Sequence, residues 1–212
     1  EQIQHHIQAA ALLGKIKNEA FQYLSQNPKI TEYQLQQFIL KKFEENKLKV
    51  DKDPPIVAFG VSAAAPHYFP LKKSRKLKPN TLVLIDIWSR FKRRNAPFAD
   101  ITWMGFYGKR VPAKIDKAFK AVIEARDKCL KFIESELQLG KMPVGKEIDE
   151  IGRNLLIKMG YRKNILHRTG HSIGFHSPHG KHGHLSLKNE EPILTNIGYT
   201  IEPGVYFKGE FG

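Results

Sequence analysis

Six of the nine histidines in this 212-residue chain fall between His167 and His184, in the stretch LHRTGHSIGFHSPHGKHGH. A glutamate, Glu202, follows in the run GYTIEPGVY. His171 stands between Gly170 and Ser172, with Gly174 just beyond, and small neighbours let a backbone come close to something bound. Tyr199–Ile201 reads as a strand and Pro203-Gly204 as a turn, so Glu202 sits at a strand end, well placed to face a pocket. Two more acids stand out upstream. Asp86 interrupts the apolar run TLVLIDIW, and Asp100 interrupts FADITWMGFYG in the same way. A carboxylate inside such a strand is costly to bury unless it is paired or metal-bound. Two aspartates, a glutamate and a histidine make an oxygen-rich, nitrogen-poor donor set, which suits Mn, Fe, Co or Zn better than a thiolate zinc site does. Enough carboxylates can bridge two such ions and hold a hydroxide between them, an arrangement suited to amide hydrolysis. The chain carries no GxxxxGK[ST] phosphate loop and no GxSxG elbow.

The elements that must position these groups follow from periodicity. Residues 3–26 read as an amphipathic helix through Ile3, Ile7, Ala10, Leu13, Phe21 and Leu24, ended by Asn27-Pro28. His5 and His6 on it read as surface residues. A second helix starts at Thr31, where Thr31 and Gln34 form a capping-box pair and Ile30 with Leu35 fits the hydrophobic staple. Ile56–Gly60 reads as a short strand, followed by VSAAAPHYFP, a loop of small residues and prolines that carries His67. The two aspartate strands form a hairpin across the basic loop SRFKRRNAP. A long helix runs from Pro112 to Leu137 with Ile115, Phe119, Val122, Cys129, Phe132 and Ile133 inward, which makes Cys129 a core residue. Another covers 145–159 through Ile148, Ile151, Leu155 and Met159, stopped by Gly160. The histidine stretch and a strand over 199–207 complete the chain. Helix, helix, strands then occur twice, which suggests a pseudo-repeated α+β fold.

A hydrophobic fraction of 41% supports a real core, and no apolar run approaches the roughly 20 residues of a membrane helix. No signal peptide is visible at the start. One cysteine excludes an internal disulfide and fits a reducing, cytoplasmic setting. The net charge of +14 keeps nucleic acid open as a partner.

Taken in order, these segments resemble the catalytic domain of the pita-bread metallopeptidases: aminopeptidase P, prolidase (Xaa-Pro dipeptidase) and methionine aminopeptidase. IVAFGVSAAAPHYFP resembles the family's run up to its pocket histidine, LIDIWSR…ADITWMGFYG its two-aspartate hairpin, TGHSIGFHSPHG its metal-histidine segment, and GYTIEPGVY its strand with the first of two glutamates. The forms look closer to the Xaa-Pro-cleaving branch than to methionine aminopeptidase. The resemblance implies a pita-bread fold, with pseudo-twofold helices packed on a curved antiparallel sheet. It implies a dinuclear exopeptidase that hydrolyses N-terminal, Xaa-Pro bonds through a metal-bridged hydroxide. Asp86 would chelate one ion (manganese, cobalt, iron or zinc) and Asp100 would bridge both. His171 and Glu202 would hold the other, with Glu202 also handling protons. His67 and His179 would be the catalytic, substrate-contacting pocket histidines. The family's usual second histidine lies seven residues after the metal histidine, where this chain has Pro178, so His179 needs an insertion and His176 is a rival. Trp103 stands where many members carry arginine, and the last ligand glutamate would lie beyond Gly212. The expectation is therefore one catalytic domain over 1–212, cut before its last ligand strand. Its partner is a peptide substrate, and a homodimer is left open. The alternatives are a methionine aminopeptidase, or an inactive module of the same fold that binds nucleic acid or protein.

Overall fold

The computed structural model describes residues 1–212, which divide into two compact units. The first comprises Glu1–Val111 with Gly174–Pro178 and Phe207–Gly212; the second comprises Pro112–Ile173 with His179–Tyr206. No helix is long and apolar enough to cross a membrane.

In the first unit, helix α1 (Gln2–Gln26) turns Ala9, Leu13, Ile16, Ala20 and Leu24 inward, a three-and-four spacing that keeps one stripe on one face. Helix α2 (Glu32–Glu45) begins at the expected capping box. The Gln34 N–H donates to Thr31 Oγ1 at 3.1 Å, and the Thr31 N–H donates to Gln34 Oε1 at 2.9 Å. Both helices pack on a four-stranded antiparallel sheet made of β1 (Leu48–Lys49), β2 (Ile56–Phe59), β3 (Thr81–Phe91) and β4 (Ala99–Tyr107). Strand β3 is central and pairs with the other three. Its Val83, Ile85 and Ile87 enter the core with Leu13, Ile16, Leu35 and Ile39. Side chains alternate along a strand, so Asp86 and Trp88 lie on the opposite face. His5 departs from expectation. It is buried at 8% exposure, because the first turns of α1 meet the β3–β4 loop, where Arg93 Nη1 reaches His5 Nε2 at 3.4 Å. His6 Nδ1 meets the Phe98 carbonyl at 2.7 Å.

The second unit is built on helices α3 (Ala113–Gln138) and α4 (Gly145–Lys158). The inward face of α3 differs from the one its bulky residues suggested. Ala118, Ala121, Ala125 and Cys129 are buried, while Phe119 is 44% exposed. Small residues win that face because the helices approach closely: a Cβ on Gly152 of α4 would stand 2.8 Å from Cys129 Sγ. Phe132 and Ile133 still pack at the edge of this core, as does Ile151 of α4. Gly160 ends α4 at φ +92°, a left-handed conformation suited to glycine.

The strand expected over 199–207 is not a regular one. This segment runs beside 169–173 through the bonds Ile173 N to Gly198 O (2.8 Å), Thr200 N to His171 O (2.9 Å) and Glu202 N to Thr169 O (2.7 Å). The ladder breaks because the His171 N–H donates to the Thr200 side chain, at 3.0 Å, instead of to a backbone carbonyl. Gly170 lets the two backbones close together, since a Cβ there would collide with the Thr200 carbonyl oxygen.

Candidate functional site

The acids of the first unit are placed by strand register. In the β3–β4 ladder Asp86 pairs with Thr102, and Trp88 pairs with Asp100. Paired residues share a face, as do residues two apart on one strand. Asp86, Trp88, Asp100 and Thr102 therefore project from one face, with the aspartates as diagonal neighbours. Both aspartates are half-buried. Thr102 Oγ1 donates to Asp86 Oδ1 at 2.8 Å, which orients that carboxylate. The flanking Trp88 donates its Nε1–H to Asp51 Oδ1 at 3.3 Å.

His67 belongs to the same unit. Strand β2 leads into a 3₁₀ turn over Gly60–Ala64, and His67 follows Pro66 with its ring exposed.

The second unit carries the other two ligand candidates, side by side. His171 is buried, its side chain 3% exposed, and its Nε2 lies 3.2 Å from Glu202 Oε1. Its Nδ1 lies 2.9 Å from the Ser172 carbonyl. A carbonyl only accepts, so Nδ1 carries the hydrogen. On neutral histidine the Nε2 lone pair would then face a carboxylate oxygen. Two lone pairs at that distance require a proton or a cation at hand to hold them together. Such a fixed tautomer, held by a backbone carbonyl, is the usual support of a metal-binding histidine. Thr200 Oγ1 donates to the same Glu202 oxygen at 2.9 Å. Burial pushes the Glu202 carboxyl upward, but the hydrogen bonds from His171 and Thr200 outweigh it and hold the group below the usual carboxylate range.

His179 lies against His171, with ring centroids 4.2 Å apart. Burial, then repulsion from His171 and from Arg168, pushes its pKa down to about 4, so the ring is neutral near pH 7. The turn 174–178 that precedes it in the chain is closed by Gly174 N to Pro178 O at 3.0 Å. His184 is shifted downward by burial and by Arg168, and its buried Nδ1 has no hydrogen-bond partner.

The ligand candidates thus come as two pairs. Nowhere are three or more His, Cys, Asp or Glu side chains gathered into one metal cage. Sequence reasoning missed Thr102 and Thr200, each two residues from an acid on extended backbone and therefore on its face. It also missed Arg168, the half-buried cation that acts on His179, His184 and Glu202, and Asp149. Asp149 is 1% exposed. It receives the Thr169 N–H at 3.0 Å, the Thr169 hydroxyl at 2.6 Å and the Leu187 N–H at 2.9 Å, and pairs with Arg153 at 3.2 Å. It thereby anchors the segment two residues before His171. Cys129 is inert core, its thiol pushed up to about 11 by burial.

Comparison with known proteins places these observations. The family model for metallopeptidase family M24 matches residues 4–212. An uncharacterized peptidase of Staphylococcus aureus strain USA300 is 29% identical over 208 residues, covering 96% of this chain and 54% of the relative. The chain thus spans about half the length of the curated relatives it matches. Among solved structures, an X-Pro aminopeptidase from Thermotoga maritima superposes with a TM-score of 0.85 at 23% identity, covering 100% of this chain and 55% of that one. An X-prolyl aminopeptidase from Caenorhabditis elegans, described as a cytosolic enzyme with a di-nuclear active site, superposes with a TM-score of 0.75 at 22% identity, over 100% of this chain and 33% of that one. The fold is the pita-bread fold of these enzymes.

Proposed function

This chain belongs to metallopeptidase family M24, and from that premise we propose that it forms the catalytic part of a metal-dependent exopeptidase that hydrolyses N-terminal peptide bonds, with Xaa-Pro as the preferred bond. The observation that carries the reading is the His171–Glu202 pair, 3.2 Å apart with Nδ1 of the histidine already committed to a carbonyl. The Xaa-Pro preference draws support from the forms IDIW…ADITW and GHSIG and from the described activities of the two solved relatives.

Asp86, Asp100, His171 and Glu202 are the residues that would hold the metal. Three carboxylates and one imidazole suit Mn, Fe, Co or Zn. When bound, two such ions supply Lewis acidity toward the scissile carbonyl and a lowered pKa for water. The chain's own side chains do the rest. Thr102 and Thr200 fix the orientation of Asp86 and Glu202. His179, neutral near pH 7, has a ring N–H to donate toward an oxygen that gains negative charge. Glu202, held ionised, accepts a proton from water and passes it to the leaving amine. His67, exposed on its loop, contacts the peptide.

The test is hydrolysis by the full-length protein of an Xaa-Pro peptide and of a Met-Ala peptide, with and without a chelator. Chelator-sensitive cleavage of the Xaa-Pro bond alone is expected. Preference for Met-Ala would move the protein to the methionine aminopeptidase branch. Salt-dependent nucleic-acid binding with no hydrolysis of either peptide would favour a binding module.

A further inference from the structure

The 59–77 segment has an unusual anchor. Glu32, the first residue of α2, is 0% exposed and has no salt-bridge partner. Its Oε1 accepts the Phe59 N–H at 2.7 Å. Its Oε2 accepts the Tyr68 hydroxyl at 2.6 Å and the Arg75 N–H at 2.9 Å. One carboxylate therefore holds the last residue of β2, where the chain leaves the sheet, and the residue directly after His67. Between those two points lie Gly60 to His67, a stretch of small side chains and one proline, in which Ala63 is buried and Ala65 and His67 are exposed. Ser62 in this stretch is buried at 8% exposure. The rest of the segment returns to the start of α2 through Glu32 N to Arg75 O at 3.0 Å, Leu77 N to Ile30 O at 2.8 Å and Tyr33 N to Ser74 Oγ at 2.9 Å.

A buried carboxyl group is costly unless its oxygens are hydrogen-bonded, and here the donors that satisfy them come from the two ends of the 59–68 segment and from Arg75. The backbone bonds already fix residues 74–77 to α2. What the carboxylate adds is the closure of 59–68, and the chemistry-bearing side chain in that closed loop is His67. We propose that Glu32 is a positioning residue: through Phe59 and Tyr68 it fixes where the His67 imidazole stands. This rests on the role given to His67 in the function proposed above.

Two variants test it in the full-length protein. Glu32→Gln keeps the shape, but its amide turns an NH2 toward one of two backbone N–H donors. Tyr68→Phe leaves the carboxylate in place and cuts only the link beside His67, so it stands in should Glu32→Gln fold poorly. Each is measured alone and combined with His67→Ala. Expected is a roughly ten- to hundredfold fall in kcat, KM and metal content unchanged, and no further loss when either is added to His67→Ala, because coupled residues are non-additive. The His67 ring signals in an NMR spectrum, assigned by their loss in His67→Ala, should shift or broaden in Tyr68→Phe. An equal loss of kcat in the His67→Ala background, or a lowered Tm with wild-type kcat, would reduce Glu32 to a structural role and overturn the proposal. Wild-type turnover by His67→Ala alone would instead strike the role of His67, and the positioning role would fall with it.

Discussion

The two ring nitrogens of His171 face different partners. Nδ1 is committed to the Ser172 carbonyl and Nε2 faces Glu202, so a cation between the proposed ligands would meet an imidazole nitrogen and a carboxylate oxygen together. Thr200→Val removes the hydroxyl that orients Glu202 and should weaken metal binding about 10–100-fold, while Asp100→Asn should abolish hydrolysis and leave the circular dichroism of the folded protein unchanged. Activity retained by Asp100→Asn would refute the ligand assignment. Cys129, with its thiol at about 11, should resist alkylation at pH 8 until the protein is unfolded. At this scale much was legible in advance: an acid in an apolar strand and a histidine between small residues are conspicuous in a sequence. Thr102, Thr200 and Asp149 were less so, because a polar residue near a candidate ligand has no signature until the hydrogen bond it makes is known.

Among the elements, the hairpin is the best-read one. The two aspartate strands pair as the expected hairpin, and their register, which the sequence did not show, puts Asp86 and Asp100 on one face. Helix α3 was read less well. Its large residues mark one amphipathic stripe, but beside Cys129, buried as expected, the buried stripe is Ala118, Ala121 and Ala125. Small side chains give a weak periodic signal, yet they permit the closest helix contact. That contact makes a prediction. Gly152→Ala places a Cβ 2.8 Å from Cys129 Sγ and should destabilise the protein by about 1–3 kcal/mol, read from the urea midpoint. The loss should shrink in the Gly152→Ala/Cys129→Ala double variant. Equal losses in both backgrounds would mean that the helices are not held at this point. The 199–207 segment shows a different limit. Its residues favour a strand, but the side chain of Thr200 takes the N–H that a ladder would have used, and propensity says nothing of such competition.

At the scale of the whole molecule, pH acts on the groups proposed to serve the metal site. Unfolded, His179 titrates near 6.5; folded and metal-free, near 4. Between those values the unfolded chain binds the extra proton, so stability rises with pH across that window and is lost as pH falls through it. Glu202, held below its usual range, adds to the loss on the acid side. The Tm of the metal-free protein should therefore drop between about pH 6.5 and pH 4, and His179→Gln should flatten the drop; an unchanged slope in that variant would contradict the placement of His179 beside His171 and Arg168. The net charge of +14 said little about function, since it reports surface composition without arrangement, whereas the order of the motifs pointed to family and fold. The most direct test is the metal-to-protein ratio of the folded full-length protein, by elemental analysis after loading with manganese or cobalt and removal of free ion. The account predicts two ions per chain, falling in Asp100→Asn. A folded protein that retains none would contradict it.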